Sequence, residues 1–129
     1  MTEISHETIR RAYRAFSEGD TETVLALLDE SIEWHPPALS VEPEPLRGRD
    51  AVRRYLAPDL FASQVAEPQE LIERGNRVLV VVRVRARGRE SGIEIENTVF
   101  HLWTIENDLA VRFEALPDRE QALGALEKS

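Results

Sequence analysis

Residues 93–105, IEIENTVFHLWTI, decide the fold of this chain because strand-forming residues alternate there with period two. Successive side chains of a strand point to opposite sides, so every second residue lies on one face. One of the two faces is mostly apolar and is made of Ile93, Ile95, Asn97, Val99, His101, Trp103 and Ile105. An amide, an imidazole and an indole within an apolar face predict the wall of a ligand pocket.

Length, composition and charge limit the class of protein. The chain has 129 residues, which suits a single domain over residues 1–129. It has no cysteine, which excludes thiolate catalysis and cysteine-bound zinc and fits a reducing cytoplasm. The formal net charge of −8 opposes binding to nucleic acid or to an anionic membrane. We find neither the apolar run of a signal peptide nor a membrane span, and expect a soluble, cytoplasmic protein.

Apolar residues at helical spacing predict three helices in the first half. The first covers residues 6–17 and buries Ile9, Ala12, Tyr13 and Phe16. The second is capped by Asp20 and runs to about Leu28, and the third opens at residues 48–50 with Val52, Tyr55 and Leu56 on its inner face. A helical turn is expected at residues 59–62. Between the second and third helices lie a short strand, residues 31–35, and a proline-rich loop, residues 36–47.

Alternating residues predict four strands in the second half, namely residues 67–74, 77–87, 93–105 and 110–116. Turns are expected at Gly75-Asn76, at residues 88–92 and at Asn107-Asp108. Salt bridges to Glu94 and Glu96 on the adjacent strand are favoured over an anion site for Arg83, Arg85 and Arg87. Asp118 and Gln121 predict a capping pair for a short closing helix. Helices followed by strands indicate an α+β domain, with the helices packed on one face of a bent antiparallel sheet.

Six motifs in this order resemble a SnoaL-like member of the nuclear-transport-factor-two-like superfamily. They are AYRAFSEGD, the leucine-rich helix after it, IEWHPP, LRGRDAVRRYL, the double hairpin, and HLWTIENDLAVRFEALPDREQAL. The resemblance implies a curved sheet and three helices around a cone-shaped pocket, as in a cystatin-like α+β barrel, and a homodimer through the outer sheet face. Members of the superfamily include ketosteroid isomerases, polyketide cyclases, an epoxide hydrolase and dehydratases, and also many non-catalytic binding or accessory proteins. The fold therefore leaves the activity open.

The resemblance also implies roles for three residues. His35 stands where isomerase-like members carry an aspartate base at the end of the first strand. His101 stands about where those members carry an acidic residue that helps to stabilise an oxyanion. Tyr13 lies one position out of step with the phenol of that site. Two imidazoles thus take the place of two carboxyl groups. One neutral ring accepting a proton while the other donates one would suit enolisation, aldol-type ring closure or elimination without a cofactor. The alternative for both histidines is structural: His35 as a strand-end cap and His101 as a hydrogen-bonded core residue.

The other candidates for a substrate-binding role are Tyr13, Trp34, Tyr55, Asn97, Val99, Trp103 and Glu114. Trp34 alternates with His35, so a regular strand directs only one of them into the cone. In residues 111–116 the more apolar face is the one opposite Glu114, so the alternation argues against Glu114 facing the pocket. The three histidines, at positions 6, 35 and 101, lack the spacing of a metal site, and no Gly-rich phosphate loop or nucleophile elbow is present.

Two interpretations follow from these residues. The first is a cofactor-independent isomerase, cyclase or dehydratase acting on a small apolar carbonyl compound, with His35 and His101 as catalytic residues. The second is a homodimeric binding or accessory protein without turnover, whose cone either holds a ligand or is filled by its own side chains. The enzyme requires both imidazoles to face one open cavity within reach of a common substrate atom, whereas the binding protein requires only an apolar pocket.

Overall fold

The computed structural model describes residues 6–36, 45–56 and 61–127. Within these residues four helices and six strands follow one another. They are α1 (His6–Ser17), α2 (Thr21–Ala26), β1 (Leu28–His35), β2 (Leu46–Arg47), α3 (Arg49–Leu56), β3 (Phe61–Arg74), β4 (Arg77–Gly88), β5 (Glu94–Glu106), β6 (Leu109–Leu116) and α4 (Arg119–Glu127). The predicted α+β class is confirmed, with helices first, long strands second and a short helix last.

All six strands form one curved, unclosed sheet in the order β2-β1-β6-β5-β4-β3. Strands β3 to β6 are an antiparallel meander, as the alternating sequence predicts. The first strand is different, because β1 pairs in parallel with β6, its residue Trp34 opposite Phe113. This pairing brings the N-terminal strand next to the C-terminal strand and so places Trp34 two strands away from β5.

Two hairpin turns have the backbone conformation that their residues allow. Gly75 has a φ of 59° between β3 and β4. Asn107 and Asp108 have φ values of 52° and 66° between β5 and β6, in the left-handed region that these two residue types tolerate best after glycine. Both predicted turns are confirmed.

The sheet carries a hydrophobic cluster on each face. Helices α1, α2 and α3 cover the inner face, where Val78, Val80 and Val82 of β4 are buried together with aromatic residues of β1, β5 and β6. Helix α4 packs on the outer face, where Ala122 and Leu126 are buried with strand residues Leu79 and Leu102. The expectation that all helices share one face is therefore wrong for α4. The apolar residues of α4 indicate that the helix packs against the sheet, but they do not indicate which face of the sheet it covers.

Several boundaries differ from the sequence-based predictions. Helix α2 ends at Ala26 and β1 begins at Leu28, because the Leu27 carbonyl accepts a sheet hydrogen bond from the Ala110 N–H at 2.9 Å. Strand β3 begins at Phe61, not at residue 67, so the predicted helical turn is wrong for residues 61 and 62. Residues 59 and 60 of that predicted turn, and residues 37–44 of the proline-rich loop, lie outside the described residues.

Charged residues on the exposed outer face of the long strands are paired within the chain. Arg83 bonds Glu96 at 2.6 Å and Arg87 bonds Glu94 at 3.1 Å, as predicted, whereas Arg85 bonds Glu67 of β3 at 2.8 Å. Exposed pairs of this kind each contribute about 0–1 kcal/mol to stability. They provide register and solubility more than they hold the fold together.

The closing helix begins as its sequence predicts. The Asp118 carboxylate accepts hydrogen bonds from the Gln121 backbone N–H at 2.8 Å and from the Gln121 side chain at 3.2 Å. This capping pair satisfies a backbone donor that the first turn of a helix otherwise leaves free. Across the described ranges, none of the helices has both the length and the apolar character needed to cross a lipid bilayer.

Candidate functional site

The inner face has an aromatic base, which we define as Tyr13, Trp34, Trp103 and Phe113. These four side chains are between 4% and 9% exposed. The Trp34 ring stacks on Phe113 with the ring centres 3.9 Å apart, and Trp103 meets Phe113 edge to face at 4.7 Å. Tyr13 comes from α1 and the other three from β1, β5 and β6, so helix and sheet meet at this cluster.

His101 lies directly beside the aromatic base. It stands opposite Val80 of β4 and Ala115 of β6, and its ring meets Phe113 at 4.7 Å. The Tyr13 ring is nearly parallel to the His101 ring, at a centre-to-centre distance of 5.8 Å. The predicted phase of His101, on the inner face with Trp103, is therefore the observed one.

A short hydrogen-bond chain joins Trp103, Tyr13 and His101. The Trp103 indole Nε1 donates to the Tyr13 hydroxyl oxygen at 3.0 Å, and that hydroxyl lies 2.7 Å from Nδ1 of His101. An indole N–H can only donate, so the tyrosine oxygen accepts from it. Nδ1 of His101 is the acceptor that the described residues offer to the tyrosine's own proton, and we assign that proton to the bond with Nδ1. Nδ1 is then the acceptor of a neutral imidazole, and the ring proton resides on Nε2.

Burial keeps the two titratable groups of this hydrogen-bond chain, His101 and Tyr13, uncharged. It lowers the pKa of His101 to about 4, because the surrounding protein disfavours the charged imidazolium even though the ring is only half-buried by surface exposure. Burial also raises the pKa of Tyr13 well above its ordinary value, an effect that the hydrogen bond from Trp103 partly opposes. At neutral pH the site is therefore a neutral hydrogen-bond donor, not an ion pair.

Beyond His101 the inner face is less enclosed. The open end, which we define as Val99, His101 and Ala115, is half-buried, in contrast to the aromatic base. Ala115 leaves little side chain between His101 and the strand β1. Neither imidazole nitrogen of His101 is buried without a partner, and Nδ1 is bound to Tyr13. Within the described residues no hydrogen bond is formed to Nε2.

The described residues enclose little empty volume deeper in the fold. A cavity of about 20 Å³ lies between α1, α2 and the sheet, and its lining is wholly apolar: Ile9, Ala12, Val24, Leu27, Leu28, Trp103, Ile105 and Ala110. This volume accommodates about one water molecule, far less than the roughly 300–1,000 Å³ of a drug-sized ligand site. This cavity is therefore too small to hold such a ligand.

His35 lies on the other face of the sheet from His101. Its neighbour Trp34 belongs to the aromatic base, and alternation directs His35 outward together with Glu33. His35 Nε2 is 2.7 Å from the Glu33 carboxylate, and this bond holds the pKa of Glu33 below its usual range. The structure therefore does not bring the two imidazoles to a common substrate atom, as the acid–base pair of the sequence analysis requires.

Glu114 and Asn97 also lie away from the His101 donor. Glu114 stands opposite His35 in the parallel pairing and accepts a hydrogen bond from Arg112 at 2.5 Å on the outer face. The alternation that argued against Glu114 thus gave the correct phase. Asn97 is on the inner side of β5 but exposed, and four residues of strand put it about 13 Å from His101 along the chain. Ile93 and Ile95, predicted for an apolar wall, are 63% and 48% exposed.

Four of the remaining predicted residues lie close to the His101 donor or belong to or contact the aromatic base. Val99 borders the open end, and Trp103 and Tyr13 form the hydrogen-bond chain. Tyr55 of α3 faces Trp34 with ring centres 6.3 Å apart. Sequence reasoning missed Phe113 and Ala115 as site residues. Their apolar alternation in β6 was visible, but only the pairing with β5 shows that they flank His101.

Potential metal ligands do not cluster within the described residues. Within residues 6–36, 45–56 and 61–127, no group of three or more histidine, aspartate or glutamate residues could hold a metal ion. The buried residues among them include no charged or polar side chain other than the aromatic N–H and O–H groups. The absence of a cofactor remains a prediction.

A curved, unclosed sheet that N-terminal helices cover, with an aromatic base between helices and sheet, is typical of the nuclear-transport-factor-two-like class. Residues 9–113 match the model of the SnoaL-like domain, and the chain belongs to this family. The predicted family is therefore confirmed. A search of curated proteins finds no match.

Solved structures of the same fold cover nearly the whole chain. One is an NTF2-like protein of unknown function from Burkholderia pseudomallei, 29% identical over 95% of this chain and 96% of that one, with a TM-score of 0.76. Another is TerC co-crystallised with polyporic acid, 25% identical over 95% and 97%, with a TM-score of 0.76. A third has a ketosteroid isomerase-like fold, comes from Catenulispora acidiphila and is in complex with trimethylamine. At 9% identity over 93% and 92%, with a TM-score of 0.78, it is similar in fold alone.

The tautomer of His101 can be tested directly by nuclear magnetic resonance. We expect the ¹⁵N spectrum at pH 7 to show a protonated Nε2 and an unprotonated Nδ1 for His101. In Tyr13→Phe the ring loses its hydrogen-bond partner at Nδ1, so the preference for the Nε2-protonated form is expected to weaken. His35, in the same spectrum, is the internal control because it lies on the other face. A protonated Nδ1 in the wild-type protein would contradict the hydrogen-bond assignment.

Proposed function

We propose that this protein binds a small, largely apolar compound at the open end, through a carbonyl oxygen that accepts the Nε2–H proton of His101. The hydrogen-bond chain from Trp103 through Tyr13 to His101 carries the proposal. It fixes the tautomer of the imidazole and so prepares a donor before the ligand arrives. A preorganised donor loses less conformational freedom on binding than a mobile one.

The surroundings of His101 favour an uncharged acceptor. Its neighbours at the open end are Val99 and Ala115, and its partner Tyr13 is a neutral phenol. A carboxylate ligand would lose its hydration there without meeting a cation, which costs several kcal/mol. A ketone or a similar carbonyl group loses less on desolvation and matches one N–H donor. The small-molecule complex of TerC, polyporic acid, supports a ligand-binding use of the same fold.

The proposal is tested by calorimetric titration with 1-tetralone, a bicyclic compound with one carbonyl group. We expect His101→Leu to weaken binding roughly tenfold, the effect of one hydrogen bond of about 1.4 kcal/mol in an apolar site. His35→Leu is the matched control, because it makes the same change in a half-buried histidine on the opposite face. Equal affinities of wild type and His101→Leu, or no binding to the wild type, would overturn the proposal.

An enzyme is the second candidate, because a neutral N–H donor beside a carbonyl group also stabilises an enolate. A cofactor-independent isomerase, cyclase or dehydratase would use it in this way, with His101 as the catalytic donor. Such an enzyme also needs a base. His35, the base of the sequence-based hypothesis, lies on the outer face, and the described inner face carries no buried carboxylate.

Deuterium exchange separates the two candidates. The protons next to the carbonyl group of 1-tetralone exchange with heavy water through the enol, and proton NMR follows the loss of their signal. An enzyme of this class accelerates the exchange, and His101→Leu abolishes the acceleration. Binding without acceleration is the result that we expect from a non-catalytic protein.

A homodimer through the outer sheet face is part of the same proposal. On this face α4 covers one end of the strands, and the arginines of β4 are paired with glutamates of β3 and β5 at the other end. Sedimentation at micromolar concentration tests the assembly. A monomer across the concentration range would contradict it without affecting the ligand site.

A further inference from the structure

Trp34 has a buried polar group without a partner. Its side chain is 6% exposed, and its indole Nε1 makes no hydrogen bond to any described residue. Buried N–H groups are nearly always paired with protein or with ordered water, because an unpaired one has lost its hydration without compensation. Trp103, the other tryptophan of the chain, does have an acceptor, the Tyr13 hydroxyl oxygen. Of the two indole N–H groups in the aromatic base, that of Trp103 is therefore paired and that of Trp34 is not.

The geometry points to Trp34 Nε1 as a second hydrogen-bond donor to the ligand, so that the ligand carries two acceptor oxygens on opposite edges of an apolar ring system. This inference rests on the proposed function, because it assumes that His101 Nε2–H holds the first oxygen. It narrows the ligand class from a simple ketone to a diketone or quinone. Trp34 becomes a residue that determines specificity.

The two donors are close enough for one small molecule. The Trp34 ring centre is 3.9 Å from that of Phe113, and the His101 ring centre is 4.7 Å from it on the neighbouring strand. The centres of Trp34 and His101 are therefore at most 8.6 Å apart, the sum of these two distances. A fused bicyclic ring with an oxygen at each edge matches a gap of this size.

Access to the indole of Trp34 depends on Tyr55. Three rings pack around Trp34, and two of them, Phe113 and Trp103, are buried on central strands of the sheet. The third, Tyr55, is half-buried on the last turn of α3, with its ring centre 6.3 Å from that of Trp34. We place the entry of a ligand oxygen at Tyr55, because Tyr55 is the half-buried one of these three rings.

The test compares 1,4-naphthoquinone, with two carbonyl oxygens, and 1-tetralone, with one. The chain has no cysteine with which a quinone would react. We expect the wild-type protein to bind the quinone roughly tenfold more tightly than the ketone, the effect of one further hydrogen bond. Trp34→Phe keeps an aromatic ring but removes the donor, and the ratio of the two affinities is expected to fall to about one.

A second measurement does not depend on the stability of any variant. The chain has two tryptophans, so a ¹H–¹⁵N spectrum contains two indole N–H signals. A new hydrogen bond to the quinone moves the Trp34 signal to lower field and leaves the Trp103 signal, already bound to Tyr13, nearly in place. Spectra of Trp34→Phe and Trp103→Phe assign the two signals.

Each outcome bears on one of the two proposals. If the quinone and the ketone both bind through His101 but with equal affinity, and the Trp34 signal does not move, the inference about Trp34 is wrong and the proposed function stands. If neither compound binds the wild-type protein, both fail. Tighter quinone binding with a shifted Trp34 signal supports the inference.

Discussion

Replacing Phe113 with alanine is expected to lower the free energy of unfolding by about 3–5 kcal/mol, the usual effect of removing a buried aromatic side chain. Phe113 is 4% exposed and is the ring that Trp34, His101 and Trp103 all contact, at 3.9, 4.7 and 4.7 Å. Its removal leaves a cavity between three strands that cannot close, because the strands are fixed by their hydrogen bonds. Urea unfolding followed by circular dichroism measures the loss.

Phe100→Ala is the matched control for this prediction. Phe100 lies on the outer face of β5, half-buried beside the α4 cluster, and loses less apolar surface on truncation. We expect a clearly smaller loss of stability for Phe100→Ala. Equal losses for the two variants would mean that the aromatic base is not the centre of the core.

Stability is expected to fall as the pH is lowered from 7 to 5, because the pKa of His101 is about 4 in the folded protein and about 6.5 in the unfolded chain. Between these two values the unfolded state binds more protons, so protonation favours unfolding. The stabilisation is therefore complete above pH 6.5 and is lost as the pH falls towards 4. The expected loss from His101 between pH 7 and 5 is about 1–2 kcal/mol.

His101→Leu isolates this contribution. The substitution leaves the Tyr13 hydroxyl proton without its acceptor, which lowers stability by a similar amount at every pH, so the slope with pH is compared and not the absolute value. The slope of the variant between pH 7 and 5 is expected to be flatter than that of the wild type. Identical slopes in the two proteins would contradict the lowered pKa of His101.

Much of the fold was predictable because local signals agreed with the tertiary structure. The period-two pattern of β5 identified the strand and correctly placed His101 and Trp103 on one face. The Asp118–Gln121 cap and the Asn107-Asp108 turn are local features as well, and the structure has both. The errors lie where a distant partner decides. Strand β3 extends back to Phe61 because β4 offers pairing partners up to Gly88, a contact that no local pattern announces.

The candidate site divides in the same way. Residue types and alternation were enough to select His101, Tyr13 and Trp103, and to suspect that only one of Trp34 and His35 enters the cone. Which one enters depends on the parallel pairing of β1 with β6, which sets Trp34 against Phe113. That pairing turns His35 outward to Glu33 and removes it from reach of His101. The two-imidazole hypothesis was a reasonable interpretation of composition that the sheet register does not support.

By itself the sequence determined the element types, their order and the face of each central strand, because these depend on side-chain periodicity and on turn residues along a continuous chain. Only the tertiary structure decided which faces meet. It placed α4 on the outer face, brought Phe113 and Ala115 beside His101, and aligned Trp103, Tyr13 and His101 into one hydrogen-bond chain. Tyr13 and His101 are 88 residues apart, and a 2.7 Å hydrogen bond between them depends on helix packing and strand register together.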